Sequence, residues 1–279
     1  MLSSLACQAN KARYYAYGVL GSQLSGQKLN ILFSTYGGYI ERLKFAFRFT
    51  PHQIRFEDLT RDNMAECDLV IPLTMDAFWF ADEYRSVVPN NAFPIPTRRA
   101  QDSCDDKYLF STCMADAGFS EYIPRFGQQL PFPYIRKKKV SYSSHNVFII
   151  KDKADEAKYT EQLSSDEYYS QEMIPGQIEY ATHILFKDNR IVKTLSIESR
   201  FQVDYPVKNH DHQLPLRICA CPHLEVFADM LRAIGFEGLC CFDYKVLNGK
   251  PKVLEINPRF GSSLTQFVVP FVTASLKSQ

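Results

Sequence analysis

The sequence predicts a mixed architecture of class α/β and α+β. A small α/β unit spans residues 27–97 and a larger α+β unit spans 98–279, with residues 1–26 as an extension of undetermined structure. Three observations carry this. Short apolar runs alternate with helical patterns between residues 28 and 96, the arrangement of a parallel sheet. Beyond residue 176, two long β-patterned stretches each double back across an Asn- and Asp- or Gly-containing turn, as antiparallel hairpins do. Finally, 46% of the 279 residues are hydrophobic, enough for a real core.

The first 26 residues are rich in Ser, Ala, Gln and Tyr, with Gly18, Gly21 and Gly26. "KLNILFS" (28–34) runs into "TYGG", which reads as a strand and a turn. Gly37-Gly38 serves that turn, or lets backbone approach a phosphate. "YIERLKFAFRF" (39–49) places Ile40, Leu43 and Phe47 at helical spacing. "QIRFEDL" and "CDLVIPL" (67–73) read as strands, "DAFWFADEYR" (76–85) as a helix, and "NAFPIP" (91–96) as a short strand stopped by prolines. "SCDDKYLFSTCMADAG" (103–118) is a marked helix. Asp105 or Asp106 caps it, its apolar residues recur at helical spacing, and Gly118 suits the position just past its end.

"FPYIRKKKVSYSSHNVFIIKD" (132–152) reads as two strands around a polar loop, and "DEYYSQEMIPG" (166–176) as a strand leading to a Pro-Gly turn. "QIEYATHILFKDNRIVKTLSIES" (177–199) is a hairpin turning at "KDNR". "PHLEVFADMLRAIGFEG" (222–238) is a helix with Pro222 in its first turn and Gly235 at its end. "LCCFDYKVLNGKPKVLEIN" (239–257) is a hairpin closed at Asn248-Gly249.

Composition narrows the function classes. Thirty-two basic against 31 acidic residues leave a net charge of +1, so there is no global field to draw nucleic acid or an anionic membrane. No run reaches the ~20 apolar residues of a membrane helix. "MLSSLACQANKARYY" lacks a basic n-region, so no signal peptide is expected. Eight cysteines in a chain this long suit reduced thiols in the cytoplasm better than a disulfide scaffold. Cys219-Ala-Cys221-Pro-His223 has no second pair at zinc-site spacing. Arg136-Lys137-Lys138-Lys139 resembles a basic patch, yet "FPYI" and "VFII" on either side put it inside a sheet, where a period of two divides it.

The last hairpin carries the strongest local signal. Asp243 and Glu255 lie about equally far from the turn on opposite arms, which makes them cross-strand neighbours; Asn257 extends the same face. Two carboxylates side by side repel, and a divalent cation resolves the conflict. Two carboxylates and an amide suit magnesium, whose other positions go to water or phosphate oxygens. Arg259 adds a fork for phosphate or carboxylate.

With these residues in place, the sequence resembles the ATP-grasp superfamily, over roughly residues 98–270. "LEINPR" resembles the terminal metal-binding motif of its carboxylate–amine ligase and carbamoyl-phosphate-synthetase-like members. The resemblance implies an ATP-grasp domain at 98–279 with a lid at about 120–175, and a small Rossmann-like pre-ATP-grasp domain at 27–97. "DDK" places Lys107 on the nucleotide phosphates, and "FPYIRKK" makes Lys137 the second phosphate lysine. "QEMIPGQIEY" resembles the hinge: Glu172 approaches the adenine amino group, Met173 and Ile174 offer backbone groups to the ring, and Glu179 binds the ribose hydroxyls. Asp243, Glu255 and Asn257 hold magnesium, with manganese as a substitute, and Arg259 contacts the transferred phosphoryl group. Implied too are ATP as cofactor, a small-molecule carboxylate and amine as substrates, and an amide formed through an acyl phosphate, with a homodimer as one assembly. The chain departs from the family in the loop after Lys137: "KKVSYSSHNV" has no glycine, and Lys138 stands where Pro is expected. That departure leaves a second expectation, a degenerate member that binds nucleotide without ligating.

Overall fold

The computed structural model describes residues 2–87, 94–141, 146–207, 211, 214–259 and 261–277. The chain opens with a helix, α1 (Leu2–Leu24), where the sequence suggested only an extension. Its apolar periodicity is weak, and its fixed position comes from tertiary contacts. The Cys7 thiol donates to the Leu216 carbonyl at 2.8 Å, Tyr14 meets Phe267 edge-on at 5.7 Å, and the Ser22 hydroxyl lies 2.7 Å from His52 Nε2.

The first unit runs β1 (Asn30–Ser34), α2 (Ile40–Phe47), β2 (Gln53–Glu57), α3 (Arg61–Ala65), β3 (Leu69–Ile71) and α4 (Met75–Glu83). Its three strands form a parallel sheet in the order β2-β1-β3. Ile31, Leu32 and Phe33 are all fully buried, because helices cover both faces; that is why the strand reads as a continuous apolar run. Thr60 and Thr74 cap α3 and α4 by accepting from the Asn63 and Ala77 amides. Of the expected strand at 91–96, residues 91–93 lie outside the described residues, and 94–96 form no strand.

The helix expected at 103–118 is two helices, α5 (Arg98–Asp105) and α6 (Lys107–Asp116). Asp106 between them is extended (φ −82°, ψ 108°), and its carboxylate accepts from the Tyr108 and Leu109 amides at 2.8 and 2.9 Å. The aspartate that caps the second helix is therefore the residue that ends the first.

A three-stranded antiparallel sheet follows, from β4 (Tyr134–Lys138), β5 (Val147–Ile150) and β6 (Tyr168–Glu172) in the order β5-β4-β6, with α7 (Lys153–Lys158) and α8 (Thr160–Ser164) between the last two strands. The remaining strands are β7 (Ile178–Lys187), β8 (Arg190–Arg200), β9 (Arg217–Cys219), β10 (Gly238–Leu247) and β11 (Lys250–Asn257). They form one antiparallel sheet in the order β11-β10-β7-β8-β9. Both expected hairpin turns are present: Asp188-Asn189 (φ 51°, 59°) and Asn248-Gly249 (φ 51°, 76°) take the left-handed conformations that fit the twist of the strands. Helix α9 (Leu224–Ala233) begins two residues after Pro222, which lies ahead of the His223 cap rather than in the first turn. A 3-10 turn (Ser262–Phe267) and α10 (Val269–Lys277) complete the described chain.

Alternation along the strands decides what each face of the large sheet does. Ile184 and Phe186 on β7, with Cys240, Phe242 and Tyr244 on β10, pack under α5, α6 and α9. The opposite parity, Leu185 and Leu239, packs against the first unit and α10. That second face continues past the core as Glu179 and His183 on β7 and Cys241, Asp243 and Lys245 on β10.

Candidate functional site

Where the second face leaves the core, it meets the smaller sheet across a cleft of about 270 Å³. All ten residues singled out in the sequence line this cleft: Lys107, Lys137, Glu172, Met173, Ile174, Glu179, Asp243, Glu255, Asn257 and Arg259.

The carboxylate pair is real, and a β-bulge makes it. Glu255 is one residue farther from the turn than Asp243, so an unbroken ladder would set Asp243 opposite Leu254 and turn Glu255 to the other face. Instead Tyr244 pairs with Val253 and Asp243 with Glu255, leaving Leu254 as the extra residue. Leu254 and Glu255, adjacent in sequence, then both line the cleft. The bulge also turns the Leu254 carbonyl to Lys137, whose Nζ donates to it at 3.2 Å.

The electrostatics centre on Glu255. Burial alone would raise its pKa, but Lys107 and Lys137, with a hydrogen bond from Asn257, outweigh burial and hold it down to about 2. Lys107 Nζ lies 3.2 Å from its carboxylate and donates to the Ser141 carbonyl at 2.8 Å. Lys137 is 5% exposed; burial pulls its pKa down to about 7 against the attraction of Glu255. Asp105, behind Lys107, is raised by burial and opposed by Lys107 and Arg259.

The residues present fit a divalent cation. Asn257 Nδ2 donates to Asp243 Oδ2 at 3.1 Å and to Glu255 Oε1 at 3.2 Å, so its amide group sits between the two carboxylates. Turning the amide over exchanges the NH₂ for Oδ1 and leaves three oxygen ligands facing one point, a set suited to a hard cation. Among the described residues, no group of three or more His, Cys, Asp or Glu side chains is arranged to hold a metal.

At the other end of the cleft lies the segment 172–176. The Glu172 carboxylate accepts from the Arg125 amide and guanidinium, both at 3.1 Å, which holds its pKa low despite partial burial. Met173 and Ile174 are 8% and 2% exposed. Glu179, 7% exposed, lies on the adjoining strand.

The four side chains of the run Arg136–Lys139 go to four different places. Arg136 donates to the Gln162, Leu163 and Ser165 carbonyls at the end of α8, Lys137 enters the cleft, Lys138 pairs with Glu167 at 3.1 Å, and Lys139 lies over the Tyr108 ring. Residues 142–145 of the glycine-free loop, His145 among them, lie outside the described residues. Arg200 pairs with Glu198 at 3.5 Å and is half exposed. The Cys221 thiol accepts from the Tyr244 hydroxyl at 3.4 Å, and none of the eight cysteines is in a disulfide.

Sequence reasoning missed two residues of the cleft, Tyr39 and Lys245, and a third residue, His183, lies beside it. Tyr39 reaches the cleft from the first unit and faces Arg259. The buried His183 is 2.8 Å from the Ser263 hydroxyl, behind the loop that follows Arg259. Lys245, 4% exposed, could have been found, because it lies two residues from Asp243 and so on the same face.

Solved structures of similar shape include an L-amino acid ligase from Bacillus licheniformis, with TM-score 0.63 and 13% identity over 89% of this chain and 74% of that one. N5-carboxyaminoimidazole synthetase from Staphylococcus aureus, complexed with ADP, superposes with TM-score 0.67 and 12% identity over 90% of this chain and 78% of that one. An ATP-grasp superfamily protein from Archaeoglobus fulgidus gives 0.58 and 13% over 89% and 88%. The chain has the ATP-grasp fold. No family model matches the chain, and no curated protein sequence matches it. The cleft between the two sheets is lined by Lys137 from the smaller sheet, by Asp243, Glu255 and Asn257 from the large one, and by Lys107 from the start of α6. Among the described residues, no helix is long and apolar enough to cross a membrane.

Proposed function

We propose that this protein is an ATP-dependent carboxylate–amine ligase that forms an amide through an acyl phosphate. The observation that carries the reading is the meeting, in one cleft, of a buried lysine and a partly buried one with an opposed carboxylate pair and an arginine. Lys107 and Lys137 would bind the triphosphate; the buried Lys137 would stabilise charge on transferring phosphoryl oxygens more strongly than a solvated lysine does. The 172–174 segment would hold the base and Glu179 the ribose hydroxyls. Asp243, Glu255 and Asn257 would hold magnesium or manganese, which neutralises phosphate charge when bound.

The substrate carboxylate oxygen attacks the γ-phosphorus, and the bond from that phosphorus to the β–γ bridging oxygen breaks, releasing ADP. The amine nitrogen then attacks the acyl carbon, phosphate leaves and the nitrogen loses a proton. Arg259 would hold the acyl phosphate by two parallel hydrogen bonds. No protein nucleophile is required. Eight cysteines in a chain of 279 residues would suit a reducing, cytoplasmic setting better than a disulfide scaffold.

The test is ADP release from MgATP in the presence of pooled amino acids. Release that depends on both an added acid and an added amine is expected. ATP-dependent protection against melting without turnover would favour nucleotide binding without ligation. If neither ATP nor ADP shifts melting, with or without magnesium, the reading fails.

A further inference from the structure

We propose that Lys245 is a positioning residue that sets affinity for the nucleoside part of the bound nucleotide and not for its phosphates. The inference rests on the nucleotide reading above.

Lys245 is 4% exposed and lines the cleft from β10. Its ammonium donates to the Ile174 carbonyl at 2.8 Å and to the Gly176 carbonyl at 2.9 Å. Both acceptors belong to the short segment between β6 and β7 that would face the base. The charge also faces Glu179, the proposed ribose ligand, and Asp204. Asp204 holds the same segment from its other side, since its carbonyl accepts from the Gly176 amide at 2.7 Å.

One buried cation thus ties together the base segment and the ribose carboxylate. Burying an ammonium is costly, and it is retained here by two carbonyls and by acids on either flank. With an apolar side chain, the Ile174 and Gly176 carbonyls lose their shared donor, and residues 173–176 lose the clamp that presents Ile174 to the cleft. Glu179 loses the cation beside it. At the phosphate end, where Lys107 and Lys137 meet Glu255, the change is felt only through Glu179, the weakest of the charges acting on Lys137. Strand geometry separates the two ends: residues two apart on β10 are roughly 7 Å apart, and Lys245 lies beyond Asp243 on the hinge side.

The test compares MgATP with magnesium tripolyphosphate, which has the phosphates and no nucleoside, by titration calorimetry on wild type, Lys245→Met and Lys245→Gln. The expected result is an ATP affinity lowered ~10-fold in Lys245→Met, the scale of one lost hydrogen bond. Tripolyphosphate affinity should stay within about twofold. Lys245→Gln keeps a donor for one carbonyl, should fall between, and serves if the Met variant does not fold. Unchanged ATP affinity in a folded variant overturns the proposal, as does equal weakening of both ligands, which a general disturbance of the cleft would cause. If wild type binds tripolyphosphate and not ATP, the nucleotide reading itself fails and the role of Lys245 falls with it.

Discussion

Replacing Lys137 by Met should stabilise the nucleotide-free protein while weakening its hold on triphosphate. Lys137 is 5% exposed, and burial takes its pKa from 10.5 to about 7 even with Glu255 pulling the other way. Between those two values the unfolded chain binds a proton that the folded chain does not. Stability therefore rises with pH across the window, is complete above the upper value, and is lost as pH falls to the lower one. Each pH unit is worth about 1.4 kcal/mol, so at or below pH 7 the buried charge costs at most about 5 kcal/mol. Met fills a similar volume without that cost. The lost hydrogen bond to the Leu254 carbonyl returns about 1 kcal/mol, and Glu255 keeps Lys107 at 3.2 Å. Allowing for the coupling of these groups, the variant should be more stable by roughly 2–3 kcal/mol at pH 6.5, the gain shrinking by pH 9.5. Urea unfolding at the two pH values, with equal slopes for both proteins, measures this. A variant less stable than wild type at pH 6.5, or a difference that ignores pH, would refute the reasoning.

Glu255→Gln should lower ligase turnover by at least about 100-fold with an unchanged circular dichroism spectrum; full activity would remove Glu255 from the metal site. His52 accepts from the Leu29 amide through Nδ1 at 3.3 Å, so Nε2 carries the proton towards Ser22 Oγ. Burial lowers its pKa; the unfolded chain then takes up the proton first as pH falls below about 6.5, and stability drops on the acid side. His52→Asn, whose Oδ1 can replace Nδ1, should show a shallower fall in Tm between pH 7.5 and 5, and parallel curves would exclude His52 as the cause. At Gly261 an added Cβ would lie 2.6 Å from His183 Cε1. With His183 fully buried, Gly261→Ala should cost about 1–3 kcal/mol, and an unchanged urea midpoint would show that the loop after Arg259 yields freely.

What could be read from the sequence was what is locally encoded. Both hairpin turns followed from residues that accept left-handed conformations, and the helix stop at Gly118 from the same property (φ +88°). In the candidate site, Asp243, Glu255 and Asn257 stood out because apolar strands rarely carry such residues, whereas Lys107, Lys137, Glu172, Met173, Ile174 and Glu179 were singled out by the resemblance. Tertiary placement was not legible. Helix α1 lacks a strong amphipathic pattern and is held by Leu216, Phe267 and His52, all distant in sequence. The break at Asp106 was hidden because the residue serves both neighbouring helices at once. Tyr39 and His183 reach the cleft region only through packing of separate elements, which no local spacing reports.

The bulge at Leu254 gives the hairpin a property that belongs to no side chain. What Lys137 uses there is a main-chain carbonyl, which any amino acid supplies. Exchanging Leu254 for another residue leaves that oxygen in place, whereas deleting it removes the oxygen and regularises the ladder. The site is thus partly specified by a count of residues between the turn and Glu255. A scan of point substitutions would pass over that information, and a scan of single-residue deletions along β11 would find it.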